Sequence, residues 1–301
     1  MRYWTRASDS TESVGTPRPT RSRSAWWNAL TRLRRSRGAW VGVVILGLII
    51  LSVLGAGVLS PYDPLGVNAD DRFIPPGPGH PFGTDILGRD ILTRMLFGGR
   101  LSLVMGIISV SFALLLGVPM GVLSGFYGGL ADRLIMRVVD LMLTFPGILL
   151  ALVIVAVLGP SLWNAMIAVG ISASPTYARV VRATTLAART EAYIEAARAL
   201  GCSNPRIIAR HILPNTVAPL IVLGTLGVAG AMISAAALSF LGLGAQPPQP
   251  EWGALLSEGR SYLRVAWWMT TFPGLAIMLT VLAINLLGDG LRDALDPRLR
   301  Y

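Results

Sequence analysis

Apolar residues in this chain are gathered into long runs, separated by polar or glycine-rich breaks. A helix rises about 1.5 Å per residue, so ~20 consecutive apolar residues cover the hydrocarbon core of a bilayer. Runs of that kind predict transmembrane helices at Ala39–Leu59, Leu101–Leu123, Val138–Leu158, Leu162–Ala178, Val217–Leu241 and Met269–Leu287. The fourth is the shortest and carries Ser174-Pro175; a proline survives there where neighbouring groups satisfy the backbone it frees. The expected fold is all-α, a polytopic membrane helix bundle of about six transmembrane helices.

Composition sharpens this picture. Of 301 residues 53% are apolar and 14% charged, with a mean hydropathy of +0.59, against about 25% charged in an ordinary soluble domain. All 26 basic residues are arginine, so the chain has no lysine for a phosphate-binding loop or a Schiff base. Any ATP must be handled by a partner. The net charge of +10 is not collected in one soluble basic domain, which argues against a nucleic-acid partner. One cysteine, Cys202, and two histidines, His80 and His211, supply neither a disulfide framework nor a zinc cluster. No metal, cofactor or catalytic residue is expected on this chain.

Arginine placement sets the expected orientation. Residues 1–38 form a basic tail rich in Arg, Ser, Thr and Pro, the composition of a segment without its own core. The apolar run after it is longer than the ~7–15 residues of a signal-peptide core, so it reads as a retained first span. With the N-terminus inside, the inner segments hold 20 of the 26 arginines; the outer loops hold Arg72, Arg89, Arg94, Arg100, Arg260 and Arg264 against seven acids. The positive-inside rule then places both termini in the cytoplasm of a multi-pass protein of the plasma or inner membrane. The chain divides into the tail 1–38, the first helix with its extracytoplasmic loop 39–100, a core 101–289 containing a cytoplasmic loop 179–215, and a C-terminal tail 290–301.

Two rows of small residues, Gly117, Gly121, Gly125 and Gly129, and Gly227, Ala231 and Ala235, recur at four-residue intervals and are read as helix-packing faces. The loop 179–215 is too charged to cross a membrane and reads as two short helices. The first places Tyr193, Ile194, Ala197 and Leu200 on one apolar stripe and ends at Gly201, suited to a left-handed C-cap. The second starts with Asn204 as N-cap and Pro205 at its first position, carries Arg210 and His211 at its C-terminal end, and stops at Pro214.

Here the residues resemble a known family. Glu195-Ala196-Ala197, Gly201 and Leu213-Pro214 are similar to the EAA signature of permease subunits in binding-protein-dependent ABC importers, with His211 where the general signature has Ile. The string 195–215, ending His211-Ile212-Leu213-Pro214-Asn215, resembles the dipeptide/oligopeptide branch. So do Phe82-Gly83-Thr84-Asp85 with Leu87-Gly88-Arg89-Asp90, Gly125-Phe126-Tyr127-Gly128-Gly129, Asp140 with Phe145-Pro146, 238–244 and Pro250-Glu251-Trp252-Gly253. The resemblance covers roughly residues 40–297. It implies a type I ABC importer permease fold in which this chain, with a second homologous permease, forms a path through the bilayer for peptide substrate. It also implies two ATPase subunits and an extracytoplasmic solute-binding protein as partners, and Glu195, Ala196, Ala197, Gly201, Asn204, Pro205, Leu213 and Pro214 as the loop that docks on the ATPase. A nickel or other small-solute permease is the nearest alternative, since that branch shares most motifs.

Other residues admit two readings. The loop hairpin either docks in a groove of a partner or lies on the membrane surface as an amphipathic pair. Asp140 is a pathway or gate residue, or the partner of Arg137 in an ion pair. Thr84 or Asp85 caps a short helix before the second span, or the segment with Arg89 and Asp90 contacts the binding protein. Asn285 and Asp289 suit interhelical bonding at the inner end of the last span, and Trp252, Tyr262, Trp267 and Trp268 an outer interfacial belt. A secondary transporter would require polar groups at broken helices in mid-membrane, and a channel a filter motif or charged ring; neither is legible.

Overall fold

The computed structural model describes residues 36–295, so most of the expected basic tail and the end of the C-terminal tail lie outside the described residues. The first helix, α1 (Arg37–Leu54), starts at Ser36, whose hydroxyl accepts from the Ala39 N–H, and is extended by a turn at Ala56–Leu59. After a long loop come α2 (Ile91–Tyr127), α3 (Gly129–Thr144), α4 (Gly147–Leu158) and α5 (Leu162–Arg189). Then follow α6 (Ala192–Ala199), α7 (Asn204–Ile207), α8 (Leu213–Phe240), α9 (Trp252–Gly259) and α10 (Trp268–Leu295).

Helices occupy all six expected spans, but α5, over the fourth, is not among those long and apolar enough to cross a membrane, and three further differences appear. Among the described residues four helices or continuous helical stretches, α1, α2, α7 through α8, and α10, are long and apolar enough to cross a membrane, and α3 with α4 makes a fifth that is bent by 96°. The expected third span is therefore not straight. Proline disfavours helical backbone in the residue before it, and Phe145, preceding Pro146, is extended at φ −89° and ψ 139°. Pro175, in contrast, lies inside an unbroken α5. The carbonyl it leaves without an N–H is that of Ile171, and the Ser174 hydroxyl donates to it at 2.8 Å, a local repair that membrane helices use. The third difference is length: α5 runs on to Arg189 as an amphipathic helix, its second half bearing Arg179, Arg182 and Arg189.

The centre of the bundle is α2 against α5, the most extensive helix pair. The small-residue row is what lets them meet. A β-carbon on Gly117, Gly121 or Gly125 would lie 2.7, 2.6 or 2.9 Å from the carbonyl oxygens of Ser174, Ala178 and Arg182, closer than any side chain tolerates. Gly129, expected to continue the row, faces open space. Around this pair α8 packs on α2, α5 and α10, and α1 lies on α10. Two apolar clusters result: one about Met105, Val110, Val155, Met166, Val169 and Leu238, the other, at the end where α2 and α10 begin, about Val53, Ile91, Trp252, Leu255, Trp268 and Met269.

The second cluster corrects the aromatic belt. Trp252 and Trp268 are buried, their indole N–H groups donating to the Met95 and Thr84 carbonyls at 2.8 and 3.0 Å. Trp267 is exposed. The sequence reading also missed α9, a short helix capped by the Glu251 carboxylate on the Ala254 N–H at 3.0 Å.

Candidate functional sites at the two ends of the bundle

The loop 179–215 is built on the ends of α2 and α5. After α5 stops at Arg189, α6 turns back and buries Ile194 and Ala197 in a cluster with Phe126, Ala188, Ile207 and Ile212. Tyr193 and Leu200, expected on the same stripe, face out at 44% and 85% exposed. One eight-residue helix can turn only a narrow face to a single support. Gly201 stands at φ +77°, the left-handed conformation that glycine adopts without a Cβ penalty. Its N–H donates to the Arg198 carbonyl at 2.9 Å and the Cys202 N–H to the Ala197 carbonyl at 3.0 Å, which together are a Schellman ending.

The second loop helix differs from expectation. Ser203, not Asn204, occupies the N-cap position, and Asn204 and Pro205 begin α7. Pro214 does not stop it: α7 passes through a wide π-turn at Ile208–Ile212 directly into α8. Proline has no N–H for the carbonyl four residues back and its ring crowds that group, and a π-turn just before it supplies the room. Tyr193 and the start of α8 are joined by Asn215, whose amide donates to the Tyr193 hydroxyl at 2.9 Å and the His211 carbonyl at 2.8 Å. The Arg198 guanidinium lies 5.6 Å over the Phe126 ring, within cation–π range. Of the signature residues, Glu195, Ala196, Gly201, Asn204, Pro205 and Pro214 are exposed, Leu213 is half-buried and Ala197 is buried inside the chain.

Next to this loop α3 is stapled to α5. Asp132 accepts two bonds from Arg182, at 2.6 and 2.7 Å, and a third from Ser124. Asp140 pairs with Arg179 at 2.7 Å, both 56% exposed. The expected Arg137 partner is thus replaced by one on the next helix, because the extension of α5 carries Arg179 past α3.

At the opposite end the four expected contact residues turn inward. Thr84 and Asp85 are 0% exposed, Asp90 3% and Arg89 6%. The Thr84 hydroxyl donates to the Asp71 carbonyl and accepts from the Ile74 N–H at 2.8 Å. Asp85 accepts from the Leu87 and Arg89 N–H groups and from the side chains of Arg89 and Arg94, at 2.6 to 3.0 Å. Both arginines also reach Glu258 on α9. The helix cap is neither Thr84 nor Asp85: Asp90 caps the long α2 itself, accepting from the Thr93 N–H at 2.7 Å, while its other oxygen meets His80 Nδ1 at 2.9 Å. These side chains hold the loop together.

Comparisons with known proteins give the family. The family model of the binding-protein-dependent transport system inner membrane component matches residues 117–301, and that of the N-terminal TM domain of oligopeptide transport permease C matches residues 24–76. The chain belongs to the first of these families. As an inner membrane component of a transport system it is not an enzyme. It is 48% identical to the dipeptide transport system permease protein DppC of Alkalihalophilus pseudofirmus, over 92% of this chain and 91% of that one. Glutathione transport system permease protein GsiD of Pectobacterium atrosepticum is 44% identical over the full length of both chains. Di/tripeptide transport system permease protein DppC of Pseudomonas aeruginosa is 47% identical over 88% of this chain and 89% of that one. A chain of the MetNI methionine ABC transporter, solved in inward facing conformations, superposes with a TM-score of 0.53 at 22% identity, covering 66% of this chain and 95% of that one. That likeness shows the shared type I importer permease fold. The sequence reading quoted Phe145-Pro146 as a motif but missed the bend there and the pairing of Arg179 and Arg182 with α3; the proline within the apolar span was the signal available for the bend.

Proposed function

We propose that this permease imports short peptides, together with a second homologous permease, two ATPase subunits and an extracytoplasmic solute-binding protein. The observation that carries the reading is its 48% identity, across nearly the whole chain, to a dipeptide permease. ATP and Mg act on the ATPase subunits, and the lack of lysine in this chain accords with that.

In this reading both termini and the loop 179–215 are cytoplasmic, as the arginine asymmetry supports. The exposed face of α6 and the turn after it, with Glu195, Ala196, Gly201, Asn204, Pro205 and Pro214, lie in a groove of the ATPase, while Ala197 and Leu213 fix the hairpin to α2 and α8. Because α6 rests on the ends of both α2 and α5, a push on it is delivered to the central pair. The Asp140–Arg179 pair beside the break is the gate contact: its exposed groups can part without leaving a buried charge. Thr84, Asp85, Arg89 and Asp90 shape the outer surface that the binding protein meets.

Reconstitution in proteoliposomes tests this. With all partners present, labelled dipeptides should accumulate only with ATP and Mg on the loop side. Accumulation driven by an ion gradient through the chain alone would refute the reading, and nickel uptake without peptide uptake would replace the substrate.

A further inference from the structure

The break between α3 and α4 opens a cavity of about 370 Å³, the size of a small-ligand site. Its walls are Ser109 of α2, Phe145, Gly147 and Ile148 at the break, Thr176 and Tyr177 of α5, and Ser234 of α8, with apolar residues between them. Ser109 and Ile148 fall near the middles of the expected spans Leu101–Leu123 and Val138–Leu158, which puts the cavity at the depth of the apolar core. Phe145, Gly147 and Ile148 are exposed, so it opens on the side that this chain leaves uncovered.

Two observations give the cavity a chemical preference. The first is α4, a twelve-residue helix that begins inside the membrane after Pro146 with no side-chain cap. Its first intrahelical bond is from the Leu150 N–H to the Pro146 carbonyl, at 3.0 Å, leaving the N–H groups of Gly147, Ile148 and Leu149 without a helical acceptor. An open helix N-terminus carries a partial positive charge and free donors, and in hydrocarbon an unmet donor is costly. The second is Ser109, a residue of the cavity wall, whose hydroxyl is buried and has no hydrogen-bond partner among the described residues. No acidic and no basic side chain lines the cavity.

Neutral donors around a dipole end suit an anion and repel an ammonium group, and without an arginine they bind it loosely enough to release it. Resting on the peptide reading above, we propose that this cavity is a carboxylate subsite on the path, taking the C-terminal carboxylate of a peptide in transit. The Ser109 hydroxyl and the first N–H groups of α4 are its donors.

The test uses the complete importer in nanodiscs, with Cys202→Ala and Ser109→Cys in this chain, and follows the reaction of the new thiol with a small methanethiosulfonate. N-acetyl-dialanine should slow labelling about ten-fold, the effect expected of occupancy through charge-assisted hydrogen bonds, and its C-terminal amide should not. Ser234→Cys, on the rim of the same cavity, repeats the measurement with Ser109 in place. Equal protection by acid and amide, or by neither, at both positions overturns the proposal. Carboxylate-selective protection in an importer that accumulates no peptide would uphold the subsite and strike the proposed function. Peptide uptake with no selective protection would do the reverse.

Discussion

Arg94 and Glu258 meet at the end of the bundle opposite the loop 179–215, the guanidinium donating to both carboxylate oxygens at 2.6 and 3.1 Å, with Arg94 wholly enclosed. Arg94 also bonds Asp85, so one cation ties the loop before α2 to α9. Removing one partner of a buried pair leaves a charge uncompensated and costs about 3–5 kcal/mol. Glu258 is partly exposed, so Glu258→Ala should cost about 3 kcal/mol, the low end of that range. Thermal unfolding in nanodiscs measures it, and Arg94→Met added to the same chain should recover part of the loss. An unchanged melting temperature in Glu258→Ala would show that the pair is not holding the loop.

The contact of α2 with α5 predicts intolerance at one glycine and tolerance at another. Gly121→Val would place its β-carbon 2.6 Å from the Ala178 carbonyl oxygen and against Val181, and should destabilise the bundle by at least ~1–3 kcal/mol, the usual range for overpacking. Gly47→Ala on α1 meets nothing within 4 Å and should be neutral or stabilising by up to ~1 kcal/mol. Yield of monodisperse protein and melting temperature separate the two.

Gly201 ends α6 in a conformation that costs other L-residues about 1–2 kcal/mol. Space is not the constraint, for nothing lies within 4 Å of its β-carbon position. Gly201→Val should insert and assemble normally but misplace the end of α6. Peptide uptake should then fall at least ten-fold while ATP hydrolysis continues without coupling. Gly201→Asn, which tolerates the left-handed region, should retain most uptake. Wild-type transport by the valine variant would sever this turn from coupling.

The single cysteine reports topology. Cys202 is partly exposed in the loop after α6, and Asp70 is exposed in the loop before α2. In intact cells a membrane-impermeant thiol reagent should leave Cys202 unmodified and label Asp70→Cys; in opened vesicles both should react. The opposite pattern in intact cells would invert the proposed orientation.

Much of the loop was legible because its signals are local. Gly201 as a left-handed cap follows from a glycine after an apolar-patterned segment, and the start of a helix at Asn204-Pro205 was placed to within one residue. The direction of each face was not legible. Tyr193, Ile194, Ala197 and Leu200 are spaced alike, but only the arrival of Phe126 and Ile207 selects which two are buried. Likewise the charge pairs of Arg182 with Asp132 and Arg179 with Asp140 link residues some 40 to 50 positions apart, beyond any local pattern.

From the chain alone came the class of solvent, the all-helical fold, the small-residue row and the family, since each depends on composition, on runs matched to bilayer thickness, or on ordered short motifs. The assembled bundle settled three other matters. Pro146 breaks its span while Pro175 does not, because Ser174 repairs one carbonyl. Thr84, Asp85, Arg89 and Asp90 became an enclosed network, because α9 brings Glu258 to the two arginines. A neutral cavity formed at the break, because four helices leave the start of α4 uncapped beside Ser109. Each outcome depends on which groups distant in sequence come within bonding distance, a property of the packed chain that no window along it contains.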